Sequence, residues 1–182
     1  MTLPKTATPA VQVTETRWYA CRTRARAEKQ VDRLLTGRGV QSFLPLIEKE
    51  RQWADRKKRV RFPLFPGYTF ARFALEEIRL VLCTPGLASI IHTGGRPTPL
   101  DDREIESVRL FVDGVNQTGE IPAPEYATAF GQKVVVTAGP FEGMCGTLVE
   151  QRGRAKVIVE ISAIRQAMSV ELDPAVLRQM DI

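Results

Sequence analysis

The sequence predicts a two-part molecule: an α+β domain built on a mostly antiparallel sheet, joined to a small all-β domain. Three observations carry that expectation. Through residue 114, segments of period two and period 3.6 follow one another in the order β-α-β-β-α-β-α, which places helices over one side of a small sheet. Residues 116–130, "NQTGEIPAPEYATAF", then lose all period and fill with Pro, Gly, Thr and Ala, as a linker does. From 131 onward, short β-branched segments are separated by glycines, the pattern of a small closed barrel.

Each element follows from its own stretch. Residues 1–16 lack the apolar core of a secretion signal and are expected to be a disordered tail. "RWYACRT" (17–23) alternates bulky and small residues as a strand. In "RAEKQVDRLLTGRG" (26–39), Ala27, Val31, Leu34 and Leu35 share one helical face, and Gly37 and Gly39 stop it. "VQSFLPLI" (40–47) is a second strand. "EKERQWADRKKRVRF" (48–62) has no apolar period and is expected to be a flexible, basic excursion. "GYTFARF" (67–73) is a third strand, kept from extending backward as a central ladder by Pro63 and Pro66.

"LEEIRLVLCTPG" (75–86) fits a short helix and "LASIIH" (87–92) a fourth strand. "DDREIESVRLFVDG" (101–114) starts with carboxylates suited to a helix N-terminus and lines Ile105, Val108 and Phe111/Val112 along one face. The expected division is therefore 17–115, a linker at 116–130, and a β domain at 131–182. In that last part the glycines at 131, 139, 143, 146 and 153, with β-branched "KVVVT" and "KVIVEI", favour strands over helix.

The chain has 182 residues, 43% hydrophobic and 26% charged, the composition of a folded globular protein. No run approaches the ~20 apolar residues of a membrane span. The three cysteines are scattered and are expected to be reduced, buried small hydrophobes. Charge is uneven: residues 17–72 hold fifteen Lys/Arg against five Asp/Glu, 73–130 four against nine, and 131–182 six against six. A basic field confined to one part of one domain steers phosphate-bearing partners.

Enzymatic readings find little support. The one histidine, His92, sits in an apolar strand, and no phosphate-cradling glycine motif is present. Glu76/Glu77 and Asp101/Asp102 stand at helix starts, where the helix dipole accounts for them. No nucleophile and base fall into a supported set, and neither a metal site nor a cofactor is expected.

One constellation is more specific. "WYACRTRARAEKQV" at 18–31, "FLP" at 43–45, "PLFPGYTF" at 63–70, "TPGL" at 84–87, "GGRPTPL" at 94–100 and "GQKVVVTAGPFEGMCGTLVE" at 131–150 occur in that order. In this the chain resembles the NusG family of transcription elongation factors, over roughly 17–182. The resemblance implies an NGN domain that docks on the clamp helices of RNA polymerase, followed by a KOW domain with an SH3-like barrel. It implies a cytoplasmic, monomeric, non-enzymatic factor. Arg22, Phe65, Pro66, Tyr68 and Leu87 are the candidate polymerase-binding residues, with Phe70 and Phe73 assigned to the core. Arg24, Arg26, Lys29 and Arg33, with Arg56, Lys57, Lys58 and Arg59 of the basic excursion, are candidates for contact with non-template DNA in the transcription bubble.

In the KOW half, Phe141 of "GPFEG" stands where members present an aromatic to a small-subunit ribosomal protein or to termination factor Rho. Ser162 stands near a position that often carries a second aromatic, which favours a specialised, RfaH-like antiterminating paralogue. The housekeeping factor acting with Rho and the ribosome stays open as the alternative. A ribosome-associated KOW protein is disfavoured by the neutral charge of 131–182.

Overall fold

The computed structural model describes residues 15–52, 57–126, 131–151 and 154–180. The first domain is built on β1 (Arg17–Thr23), flanked by β5 (Tyr68–Phe73) and β6 (Leu87–Ile90). β2 (Gln41–Phe43) pairs with β5, giving the antiparallel order β2-β5-β1-β6. β1 also pairs with β9 (Pro99–Leu100), after the two-residue strands β7 (His92–Thr93) and β8 (Arg96–Pro97).

Helices cover both faces of this sheet, not one. α1 (Glu28–Gly37) and α2 (Ile78–Leu82) place Val31, Leu35 and Val81 against Tyr19, Cys21, Ala71 and Phe73. α3 (Asp102–Thr118) places Ile105, Val108 and Phe111 against Trp18, Ala20 and Phe70 on the other face. The reason is written in "WYAC": four consecutive buried residues of β1 serve both faces, the signature of a strand covered on two sides. Phe70 and Phe73 are core, as expected, on opposite faces. Of the cysteines, Cys21 alone is a buried small hydrophobe, its thiol pushed up to about 12 by desolvation; Cys83 is exposed and Cys145 half-buried.

α3 is capped by the Asp101 carboxylate, which accepts the Arg103 N–H at 2.8 Å, and ends at Gly119 with φ +73°. It therefore runs past residue 114 into the segment expected to be a linker. Within that same segment, β10 (Ala123–Tyr126) pairs with β14 (Gln166–Leu172) of the second domain. A free linker had no period to reveal either end.

The excursion at 48–62 is a long hairpin, β3 (Leu46–Gln52) against β4 (Lys57–Pro63). Ile47 and Phe62, opposite each other near its base, pack on the core, and beyond them charge alternation takes the place of an apolar face. Glu48 stands opposite Arg61 and Glu50 opposite Arg59, and the Arg61 Nε donates to Glu48 Oε1 at 2.9 Å. Asn116 of α3 fastens its base, accepting the Glu48 N–H at 2.8 Å and donating to the Leu46 carbonyl at 3.0 Å.

The second domain is β throughout: β10, β11 (Gln132–Val136), β12 (Cys145–Gln151), β13 (Arg154–Ile161), β14 (Gln166–Leu172) and β15 (Leu177–Gln179), in the order β10-β14-β13-β12-β11-β15. Among the described residues no ladder joins the two ends of that order. The domain packs on α3, and Val134, Val157, Val159 and Ile161 share one apolar cluster with Ile105, Val108 and Phe111.

Candidate functional site

Three of the sequence motifs meet at one end of the first sheet. β1 ends there at Thr23, and its antiparallel neighbours β5 and β6 begin there. Each neighbour is entered through an x-Pro-Gly-x turn. In Phe65-Pro66-Gly67-Tyr68 the Tyr68 N–H donates to the Phe65 carbonyl at 3.2 Å, and Gly67 has φ +84°. In Thr84-Pro85-Gly86-Leu87 the Leu87 N–H donates to the Thr84 carbonyl at 3.0 Å, and Gly86 has φ +92°. Proline second and a left-handed glycine third is the requirement of a type II turn, and both prolines stand exposed at the apex.

The loop from β1 to α1 is stitched to both turns. The Thr23 N–H donates to the Gly67 carbonyl and the Arg24 N–H to the Gly86 carbonyl, each at 2.8 Å. The Gly67 N–H in turn donates to Oε1 of Glu28 at 2.8 Å. Arg26, in the same loop, holds φ +61°, a conformation that non-glycine residues rarely adopt. Gly86 faces α1 so closely that an added β-carbon would stand 3.1 Å from the Ala27 Cβ.

The candidate residues divide on this frame. Arg22 is exposed and lies directly opposite Tyr68, which is half-buried, on the sheet face that carries Trp18 and Ala20. Pro66 is exposed beside them. Leu87 is largely buried under α1. Phe65, expected in an exposed groove, is instead fully buried. Its ring meets Phe70 edge-on at 6.1 Å, because the turn folds it under the sheet while Pro66 takes the apex.

Arg24, Arg26, Lys29 and Arg33 are all exposed, the first two on the β1–α1 loop and the others on α1. The Lys29 Nζ donates to the Arg61 carbonyl at 2.7 Å, tying α1 to β4, and Arg59 is exposed on that strand. Lys57 and Lys58 belong to β4 as well; Arg56 lies outside the described residues.

Phe141 is also displaced from expectation. It is 2% exposed, seated on α3 with its ring 6.3 Å from that of Phe111. The seat exists because position 114 is glycine: an added β-carbon would stand 2.4 Å from the Phe141 ring. Two hydrogen bonds join the second domain to α3 on the N-terminal side of the seat. Ser107 Oγ accepts the Cys145 N–H at 3.3 Å, and Ser162 Oγ donates to Glu104 Oε1 at 2.8 Å. Glu104 and Gly114 were not singled out by sequence reasoning. At the end of the helix expected over 101–114, Gly114 reads as a stop; only the run of α3 on to Thr118 makes it an interior glycine.

The profile of the NusG family, described as transcription termination factor nusG, matches residues 16–109, just over half of the chain. The transcription termination/antitermination protein NusG of Thermus thermophilus is 32% identical over 176 residues, covering 86% of this chain and 94% of that protein. The protein of the same name from Borreliella burgdorferi is 30% identical, with the same shares covered. A solved structure of Thermotoga maritima NusG shares the fold at a TM-score of 0.51 and 23% identity, over 92% of this chain and 98% of that one. The profile over the first domain and the relatives over both domains agree: the chain belongs to the NusG family of transcription factors.

Proposed function

We propose that the end of the first sheet, with Pro66 and Tyr68 at its turn and Arg22 opposite, docks on elongating RNA polymerase and makes transcription processive. The observation that carries this reading is the convergence of two rigid Pro-Gly turns and an exposed cationic loop at one sheet end. Fixed backbone at a contact surface lowers the entropy lost on association. Aromatic and arginine anchors beside it are the side chains that dominate binding energy. Phe65 serves this dock from beneath, as the packed base of the turn.

The exposed cations of the β1–α1 loop, α1 and the β3–β4 hairpin then contact the phosphates of non-template DNA, which position a protein without selecting sequence. Recruitment of a further partner, a ribosomal protein or Rho, through Phe141 requires the second domain to leave α3, since the ring is covered there. Such a factor works in the cytoplasm, and no helix among the described residues is long and apolar enough to cross a membrane.

The relatives' names join termination to antitermination. For this chain we favour antitermination, because Ser162 is spent on Glu104 and offers no second aromatic to a partner. The test is co-purification of RNA polymerase with the full chain carrying Pro66→Ala and Tyr68→Ala. Binding should fall by a few kcal/mol, the scale of interface hot spots, with circular dichroism unchanged. Parental affinity in a folded double variant would refute the dock.

A further inference from the structure

We infer that Glu28 is a positioning residue for the docking turn, an inference that rests on the dock proposed above. A carboxylate withdrawn from water needs hydrogen bonds in its place, and Glu28 is 7% exposed. Its Oε1 takes the N–H of Gly67, the residue between Pro66 and Tyr68. The carbonyl of the same glycine is held by the Thr23 N–H. Both backbone groups of Gly67 are thus fixed from outside the turn, one from α1 and one from the end of β1.

The turn needs this support. Gly67 sits at φ +84° and, lacking a β-carbon, has wide freedom to leave that conformation. The turn's own hydrogen bond, Tyr68 N–H to the Phe65 carbonyl, is long at 3.2 Å, whereas the Glu28 bond is 2.8 Å and charge-assisted. Glu28 is also the first residue of α1, directly before Lys29 and two residues after Arg26. One carboxylate, together with the Thr23–Gly67 bond, therefore sets the spacing between the docking turn and the cations around it. A turn sampling other conformations would bind in proportion to the fraction correctly formed.

Three variants of the full chain test this: Glu28→Ala, Glu28→Asp and Glu28→Gln. The readouts are exchange of the Gly67 amide with solvent, affinity for RNA polymerase, and the thermal midpoint. Aspartate is one methylene too short to reach Gly67, and alanine removes the acceptor. Both should speed Gly67 exchange and weaken polymerase binding by about tenfold, the loss expected for a hydrogen bond to a charged group. Glutamine keeps an oxygen at the same reach and should restore affinity to within about threefold of the parent. If the alanine variant does not fold, the aspartate variant decides.

Folded variants with fast Gly67 exchange and parental affinity would overturn the inference, as would a glutamine variant weakened as much as alanine. The Pro66→Ala/Tyr68→Ala protein run beside them separates the two ideas. If it binds normally, the dock itself is wrong. If it loses binding while Glu28→Ala and Glu28→Asp keep it, the dock stands and Glu28 has no part in positioning it.

Discussion

Phe65 shows how one buried ring changes the meaning of a motif. The stretch "FPGY" reads as a presented aromatic patch, yet its first ring has no accessible surface and packs on Phe70. Phe65→Ala should cost about 3–5 kcal/mol of stability, the range for emptying a buried aromatic site. A urea melt should shift accordingly, and any loss of polymerase binding in that variant would reflect the fold. A melt like the parent's would show that the ring is not part of the core. The two Pro-Gly dipeptides were legible in the sequence, because a type II turn leaves that mark locally. Glu28 was not legible, because its partner Gly67 lies thirty-nine residues away and only the sheet brings them together.

At the scale of elements, the β3–β4 hairpin was hidden because the usual cue, an apolar alternation, is replaced by charges that match only across the strands. Glu48 and Glu50 face Arg61 and Arg59, a register no single strand displays. Changing Glu48 and Glu50 to Lys puts like charges opposite and should cost about 0.2–1 kcal/mol per pair, seen as faster amide exchange along β3 and β4. Unchanged exchange would mean that the charges contribute nothing and that Asn116, Lys29 and the core-packed Ile47 hold the hairpin. Changing Arg56, Lys57, Lys58 and Arg59 to Ser should leave binding to polymerase alone nearly intact. Binding to elongation complexes should lose salt dependence by about one unit of slope per phosphate contact removed. Equal salt slopes in parent and variant would remove the hairpin from the DNA surface. The two-sided covering of β1 is legible in "WYAC", four consecutive residues without a solvent-facing one, whereas the order of elements alone does not say which face each helix takes.

For the whole molecule, the arrangement of the two domains turns on α3, and nothing in either domain's own periodicity announces it. Burial lifts the Glu104 carboxyl above its ordinary range, against the pull of the Ser162 hydrogen bonds, and the charges of Asp101 and Glu160 add to the lift. A carboxyl raised in the docked state holds its proton more tightly docked than free. Docking should therefore strengthen as pH falls from that raised value to the ordinary carboxyl value, and weaken as pH rises back through the raised value. Glu104→Gln should flatten this dependence.

The decisive position is Gly114. Alanine is about 1 kcal/mol better than glycine in a helix interior, so Gly114→Ala should not harm α3 itself. Its β-carbon, however, would stand 2.4, 2.5 and 2.8 Å from the Cδ1, Cε1 and Cγ of Phe141. Because Cγ is the root of the ring, turning the ring about its own axis does not clear the clash, and Phe111 bounds the seat nearby. The side chain must leave, and with it the turn that carries it. The first domain should keep its melting behaviour while the second separates from α3. Backbone 15N relaxation would read this directly: one tumbling time for the parent, two for the variant, with the Phe141 resonances shifted toward solvent values. A Gly114→Ala protein that tumbles as one body, with the Phe141 shifts of the parent, would show that the seat does not hold the domains together.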